Sequence, residues 1–194
     1  MNKNCLLCGV GGQGVVLASK LIAYAAMNKG LDVRTTETIG MAQRGGSVVS
    51  HVRMGKKIHS PLIPHGSADV ILAFEPAEAV RNLPYLRNGG LVIVNKKAVK
   101  PVTATLSGND YDGGGMLQYL KEHAGQLCIV DGEKLCEEAG SAKALNVALL
   151  GVAAKSGALD ITLPDIESEL RKHIRPQFVD INMKALSLGA EAAC

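Results

Sequence analysis

The residues with the clearest chemical potential are those of Gly9-Val10-Gly11-Gly12-Gln13-Gly14. Glycine turns tightly and lets a backbone come close to a ligand. A short apolar run precedes this loop and a helical pattern follows it, which is the context required of a dinucleotide-type turn. The helix N-terminus would then offer free N–H groups and a partial positive charge to an anion. A structural reading stands beside this one: such glycines equally allow a helix to pack closely on a strand, or admit a partner chain. A dinucleotide would also call for an acid at the end of the second strand. Asp32 lies at the wrong end of that strand, whereas Glu37 is placed tolerably.

A second stretch, Thr36-Glu37-Thr38-Ile39-Gly40-Met41-Ala42-Gln43-Arg44-Gly45-Gly46, falls beyond the carboxyl end of the second expected strand. Open α/β sheets place their sites there. Arg44 beside two glycines is an exposed fork of donors suited to a carboxylate or phosphate. It could equally be a structural arginine paired with a local acid such as Glu37.

Other reactive residue types form no convincing constellation. Cys5-x-x-Cys8 has a chelating spacing, but side chains three apart on a strand point to opposite faces, so buried structural thiols are expected. Five cysteines in a chain of this size suggest reduced thiols, and no array could hold an iron–sulfur cluster. The five histidines are scattered without metal-ligand spacing. Neither a Gly-x-Ser-x-Gly elbow nor a phosphate loop with its lysine is present. No residue is therefore assigned a catalytic or metal-binding role.

The elements that must position these motifs alternate. Lys3 to Gly9 reads as a buried strand, Gln13 to Lys29 as a helix stopped by Gly30, and Leu31 to Glu37 as a second strand, making a βαβ unit. Further strands are expected at Ser47 to Met54, Ala68 to Phe74, Leu91 to Asn95 and Gln126 to Asp131, with a turn at Asn88-Gly89-Gly90. Helices are expected from Pro76 to about Tyr85, over Leu117 to His123, and from a Ser141 cap to about Ser156. Another opens at Thr162, and a last one follows Arg175-Pro176 to near Gly189. This alternation argues for a three-layer Rossmann-like α/β fold, its parallel or mixed sheet covered by helices on both faces.

Composition narrows the partners. The 194 residues fit one domain, residues 1–194, and 47% hydrophobic with 20% charged residues can bury a substantial core. Aromatic residues are only 3%, too few to stack bases, and the net charge of +3 forms no stripe along a phosphate backbone. Nucleic acid is not an expected partner. No apolar stretch approaches the roughly 20 residues of a membrane span, and none resembling a signal peptide precedes the glycine loop. A cytoplasmic location is expected.

Taken together the two glycine motifs resemble those of the gamma subunit or domain of 2-oxoacid:ferredoxin oxidoreductases. The family's Gly-x-Gly-Gly-Gln-Gly corresponds to Gly9 through Gly14. Its Thr-x-x-Gly-x-x-x-Arg-Gly-Gly corresponds to Thr36 or Thr38 with Gly40, Arg44, Gly45 and Gly46. The strand from Ala68 to Glu75, the segment from Asn146 to Gly151, and Asn182, Ala185 and Gly189 are similar too. The Gln-Arg-Gly-Gly form favours the indolepyruvate branch, most closely its small beta subunit, over the pyruvate branch.

The resemblance implies a heteromeric enzyme that oxidatively decarboxylates aryl-2-oxoacids to acyl-CoA and passes electrons to ferredoxin. It puts thiamine diphosphate and iron–sulfur clusters on a large alpha subunit, with coenzyme A as co-substrate of the complex. For this domain it leaves two roles, shaping the active-site cleft or receiving coenzyme A. Its site candidates are Gly9, Gly11, Gly12, Gln13, Gly14, Thr38, Gly40, Arg44, Gly45 and Gly46. A free-standing NAD(P)-dependent oxidoreductase and a non-catalytic assembly module are the alternatives.

Overall fold

The computed structural model describes residues 2–40, 45–100 and 111–194. Among these, six strands form one mixed sheet: β1 (Lys3–Val10), β2 (Asp32–Ile39), β3 (Ser47–Gly55), β4 (Ala68–Ala73), β5 (Leu86–Asn95) and β6 (Gln126–Val130). Their spatial order is β2-β3-β1-β4-β5-β6. The β1, β4, β5 and β6 strands run parallel, whereas β3 is antiparallel to both β1 and β2.

Seven α-helices are described: α1 (Val15–Asn28), α2 (Pro76–Asn82), α3 (Gly114–His123), α4 (Gly132–Ala139), α5 (Leu145–Lys155), α6 (Leu163–His173) and α7 (Pro176–Glu191). Alternate β1 residues feed the two cores. Cys5 and Leu7 pack with residues from α1 and from α4 to α7, while Leu6 and Cys8 pack with Ala79 of α2 and Leu120 of α3. Helices thus cover both faces, as expected, and the Cys5 and Cys8 thiols lie on opposite sides of the sheet. Burial pushes the pKa of each thiol upward; the negative charge of Asp69 on Cys5 and of Glu78 on Cys8 acts in the same direction. Both stay inert thiols.

Several expectations need correction. The β1-α1-β2 unit does not pair its two strands, because β3 is inserted between them. The expected turn at Asn88-Gly89-Gly90 is part of β5. Gly89 there takes a φ of 69°, and the pairing jumps from Ala68↔Leu86 to Val70↔Leu91, so these glycines build a bulge. The helix after Pro76 ends at Asn82, and a 3-10 turn, Leu83–Tyr85, continues it.

Helix α4 was not anticipated; Asp131 caps it and Gly140, with φ 88°, ends it. Ser141 caps a 3-10 turn, Ala142–Ala144, rather than α5 itself. Cys128 and Cys194, expected as reduced thiols, are joined in a disulfide that ties the chain after α7 to β6; Cys5, Cys8 and Cys136 are free.

The α5 helix is apolar nearly all round and is buried. It lies against α7 so closely that both contact points are glycine. A Cβ on Gly151 would stand 2.1 Å from the Leu186 carbonyl oxygen, and one on Gly189 would stand 1.9 Å from that of Ala148.

Candidate functional site

Strand order defines the crevice. After β1 the chain leaves for α1 on one face; after the neighbouring parallel strand β4 it leaves for α2 on the other. The carboxyl ends of β1 and β4 therefore form a topological switch point, where open sheets bind ligands. The first glycine motif sits at this point.

Each loop residue has a distinct task. Gly9 leaves no room for a side chain, since a Cβ there would come within 2.8 Å of Phe74 Cβ. Gln13 folds back over β1: its Oε1 accepts from Val10 N at 2.8 Å and its Nε2 donates to the Phe74 carbonyl at 3.0 Å. This side chain staples the loop to the ends of both switch-point strands. Gly12 and Gly14 have φ of 101° and 81°, in the left-handed region that favours glycine. Space beside Gly12 is open, while Gly14 presses against Asn146 of α5. Gly14 is also the N-cap of α1. No side chain caps that helix, and its first turn contains no acid. Its first N–H groups are thus left for solvent or an anion.

The second motif folds against the first. The N–H of Gly11 donates to the Gly46 carbonyl at 2.8 Å, and that of Gly40 donates to the Ser47 carbonyl at 2.9 Å. Thr38 is exposed at the end of β2, and Gly45 turns with φ 73° before β3. The structure therefore brings Gly11, Gly40, Gly45 and Gly46 to one end of the sheet. Arg44 lies outside the described residues, so its expected choice between an anion and Glu37 belongs to the sequence alone.

Two buried acids complete this corner, and the motif reading did not single them out as site residues. Glu75 and Glu78 are 2% and 4% exposed. Glu75 caps α2, with its Oε2 accepting from Glu78 N at 3.1 Å, and its Oε1 accepts from the Tyr111 hydroxyl. Burial, with that hydrogen bond, keeps the Tyr111 phenol protonated well above its ordinary range. Glu78 accepts from Ser47 Oγ at 2.6 Å and pairs with Arg81 at 2.6 Å, tying β3 to α2. A small cavity of about 160 Å³ lies among Val10, Gly45, Ser47, Glu78, Arg81 and Tyr111. The available signal was Glu75-Pro76-x-Glu78 after a buried strand, an N-cap acid followed by proline at the first helical position. Both of these acids are already engaged, so among the described residues the corner presents a shaped backbone rather than an acid–base pair.

Elsewhere the chemistry is sparser. An opening of about 510 Å³ beside the ends of β5 and β6 is rimmed by Lys97, which is paired with Glu133, and by buried Asn95. Asn95 spends its amide on the Phe74 carbonyl and its oxygen on Gly132 N, both at 3.2 Å. Among the described residues, no group of three His, Cys, Asp or Glu side chains is placed to hold a metal ion. No described helix is long and apolar enough to cross a membrane.

The dinucleotide reading meets a geometric obstacle. Glu37 stands exposed on β2, two strands and roughly 10 Å from β1, because β3 intervenes. Asp32 is engaged with Ile58 N and Arg34 at the far end of β2. Neither acid reaches a ribose placed over the glycine loop.

Comparison with known proteins decides the family. The model of the pyruvate ferredoxin/flavodoxin oxidoreductase family matches residues 4–192. An indolepyruvate oxidoreductase subunit IorB from Pyrococcus horikoshii is 38% identical over 192 residues, covering 98% of this chain and 95% of that one. The chain belongs to this family. Among solved structures, pyruvate oxidoreductase subunit PORC from Thermotoga maritima superposes with a TM-score of 0.73 at 22% identity, over 98% of this chain and 96% of that one. A 2-oxoglutarate:ferredoxin oxidoreductase from Magnetococcus marinus matches with a TM-score of 0.72 at 19% identity. It aligns with 99% of this chain but only 31% of its own, so the same fold occurs there as part of a much longer chain. Within this pyruvate ferredoxin/flavodoxin oxidoreductase family member, both glycine motifs fall on the described switch-point corner, apart from Arg44 and its three predecessors.

Proposed function

We propose that this chain is the small subunit of a heteromeric 2-oxoacid:ferredoxin oxidoreductase acting on indolepyruvate or related aryl-2-oxoacids. Its complex oxidatively decarboxylates the acid to an acyl-CoA, and electrons leave for ferredoxin. The observation that carries this reading is the end-to-end match, at 38% identity, to an indolepyruvate oxidoreductase subunit. The site geometry agrees with it, because among the described residues the switch-point corner offers backbone donors and turns, and its buried acids Glu75 and Glu78 are both engaged.

The chemistry then resides with a large alpha subunit carrying thiamine diphosphate and iron–sulfur clusters. Coenzyme A supplies the thiol that takes the acyl group. This chain's part is to close the active-site cleft and to receive the coenzyme A phosphates. The uncapped first turn of α1 and the open space beside Gly12 suit an anion. Gln13 holds that turn in place through Val10 and Phe74, and Arg44 adds a guanidinium from the second motif.

The test is Arg44→Ala in the assembled complex. We expect a raised KM for coenzyme A, on the order of tenfold for a lost charged hydrogen bond, with the KM for the oxoacid unchanged. Unchanged turnover and unchanged coenzyme A affinity would instead support a purely structural assembly module.

A further inference from the structure

A separate cleft lies behind the glycine loop, between the first turn of α1, the chain from Ser141 to Asn146, the α6–α7 connection and the N-terminal half of α7. It encloses about 360 Å³, a size suited to a small organic molecule. Its walls are apolar: Leu17, Ile181 and Phe178, the last 44% exposed despite its size. Its rim is basic. Lys143 and Arg175 line it, no Asp or Glu does, and neither basic side chain is paired with an acid among the described residues. His173 also borders the cleft but is already held by Glu169 at 3.3 Å and stacked on Tyr24.

Asn146 supplies the independent observation. This side chain is only 4% exposed, lines the cleft, and makes no hydrogen bond among the described residues. The one fully sealed side-chain atom without a partner in those residues is Ser50 Oγ, so the Asn146 amide, which lies alongside Gly14, keeps some access at the cleft its residue lines. Buried amides are ordinarily paired, and an unpaired one facing an opening marks a place for a ligand's polar group.

We propose that this cleft binds a small carboxylate with an apolar body. The carboxylate accepts from the Asn146 amide and from Arg175, with Lys143 adding charge, while the apolar body lies on Leu17, Phe178 and Ile181. Basic groups without acidic neighbours select an anion, and the exposed ring with two aliphatic walls selects an apolar body over a bare inorganic ion. The proposal is independent of the function assigned to the glycine loop.

The experiment is a nitrogen-15 NMR titration of the full chain, following the Asn146 side-chain NH2 signals. The probes are phenylacetate, its neutral counterpart benzyl alcohol, and acetate. The expected result is saturable movement with phenylacetate, with a Kd on the order of 1 mM for a ligand of that size. Benzyl alcohol and acetate each bind about tenfold more weakly or worse. Arg175→Ala, at an exposed position, weakens phenylacetate by about tenfold, and Arg175→Lys by less. Stationary Asn146 signals, equal binding of the alcohol, or unchanged affinity in Arg175→Ala would each overturn the proposal.

Discussion

The close crossing of α5 and α7 predicts an outcome whose sign differs from the usual one. Replacing a mid-helix glycine with alanine normally stabilises a helix by about 1 kcal/mol, because alanine loses less backbone freedom. At Gly189 the new methyl would meet the Ala148 carbonyl oxygen at 1.9 Å, and at Gly151 it would meet that of Leu186 at 2.1 Å. Both obstacles are backbone, so no side chain can swing aside. The helices must separate by more than an ångström, loosening Ala148, Leu149, Val152, Ala185 and Leu186, all buried.

Overpacking of this kind costs about 1–3 kcal/mol and occasionally more. Set against the gain in propensity, the net loss is about 1 kcal/mol, which for a domain of this length lowers Tm by roughly 2–4 °C. Gly115 in α3 is the matched control: nothing lies within 4 Å of its Cβ position, so Gly115→Ala should raise Tm. Calorimetry on the three variants checks this. A Gly189→Ala protein as stable as the parent, or more so, would refute the crossing as described.

Three other outcomes follow from the structure. His51 is buried, its Nδ1 accepts from Ile63 N at 3.2 Å, and burial lowers its pKa. The fold therefore disfavours the protonated ring, so stability falls as pH drops below the ordinary histidine pKa of about 6.5. Denaturant midpoints between pH 7 and 5 should show this slope, and it should flatten in His51→Gln. Thr162 and Asp165 form a reciprocal capping box on α6, so Thr162→Ala should cost about 1 kcal/mol in urea unfolding. Cys194→Ser opens a disulfide spanning 66 residues and should cost about 2–4 kcal/mol against the oxidised parent, with no difference once both are reduced.

What could be read from the sequence was local. The β1 run, the glycine turn and the start of α1 form one contiguous signal, and the structure reproduces it. The α6 cap was equally visible in Thr162-x-Pro164-Asp165. Strand order was not, because β3 pairs with β1 across nearly forty residues, and nothing near either strand specifies that partner. Polar, eight-residue α4 offered too short a pattern, although Asp131 was an adequate start signal and Gly140 an adequate stop. The Cys128–Cys194 link was hidden for the same reason as the strand order. At the site, glycines announced the loop and Glu75 is a local cap of α2, but Glu78 gained its partner only when α2 met β3. Asn146 was visible only as part of a similar segment; its unpaired amide is a product of the packing of α1, α5 and α7.

The central claim is that this chain completes an oxidoreductase whose chemistry lies on another subunit. Its most direct test is the rate of arylpyruvate-dependent, coenzyme A-dependent ferredoxin reduction by the large subunit as this chain is titrated in. The account predicts no turnover from this chain alone, and a rate that rises with its addition and saturates at a fixed stoichiometry. Turnover by the isolated chain, or a large subunit already at full rate without it, would contradict the account.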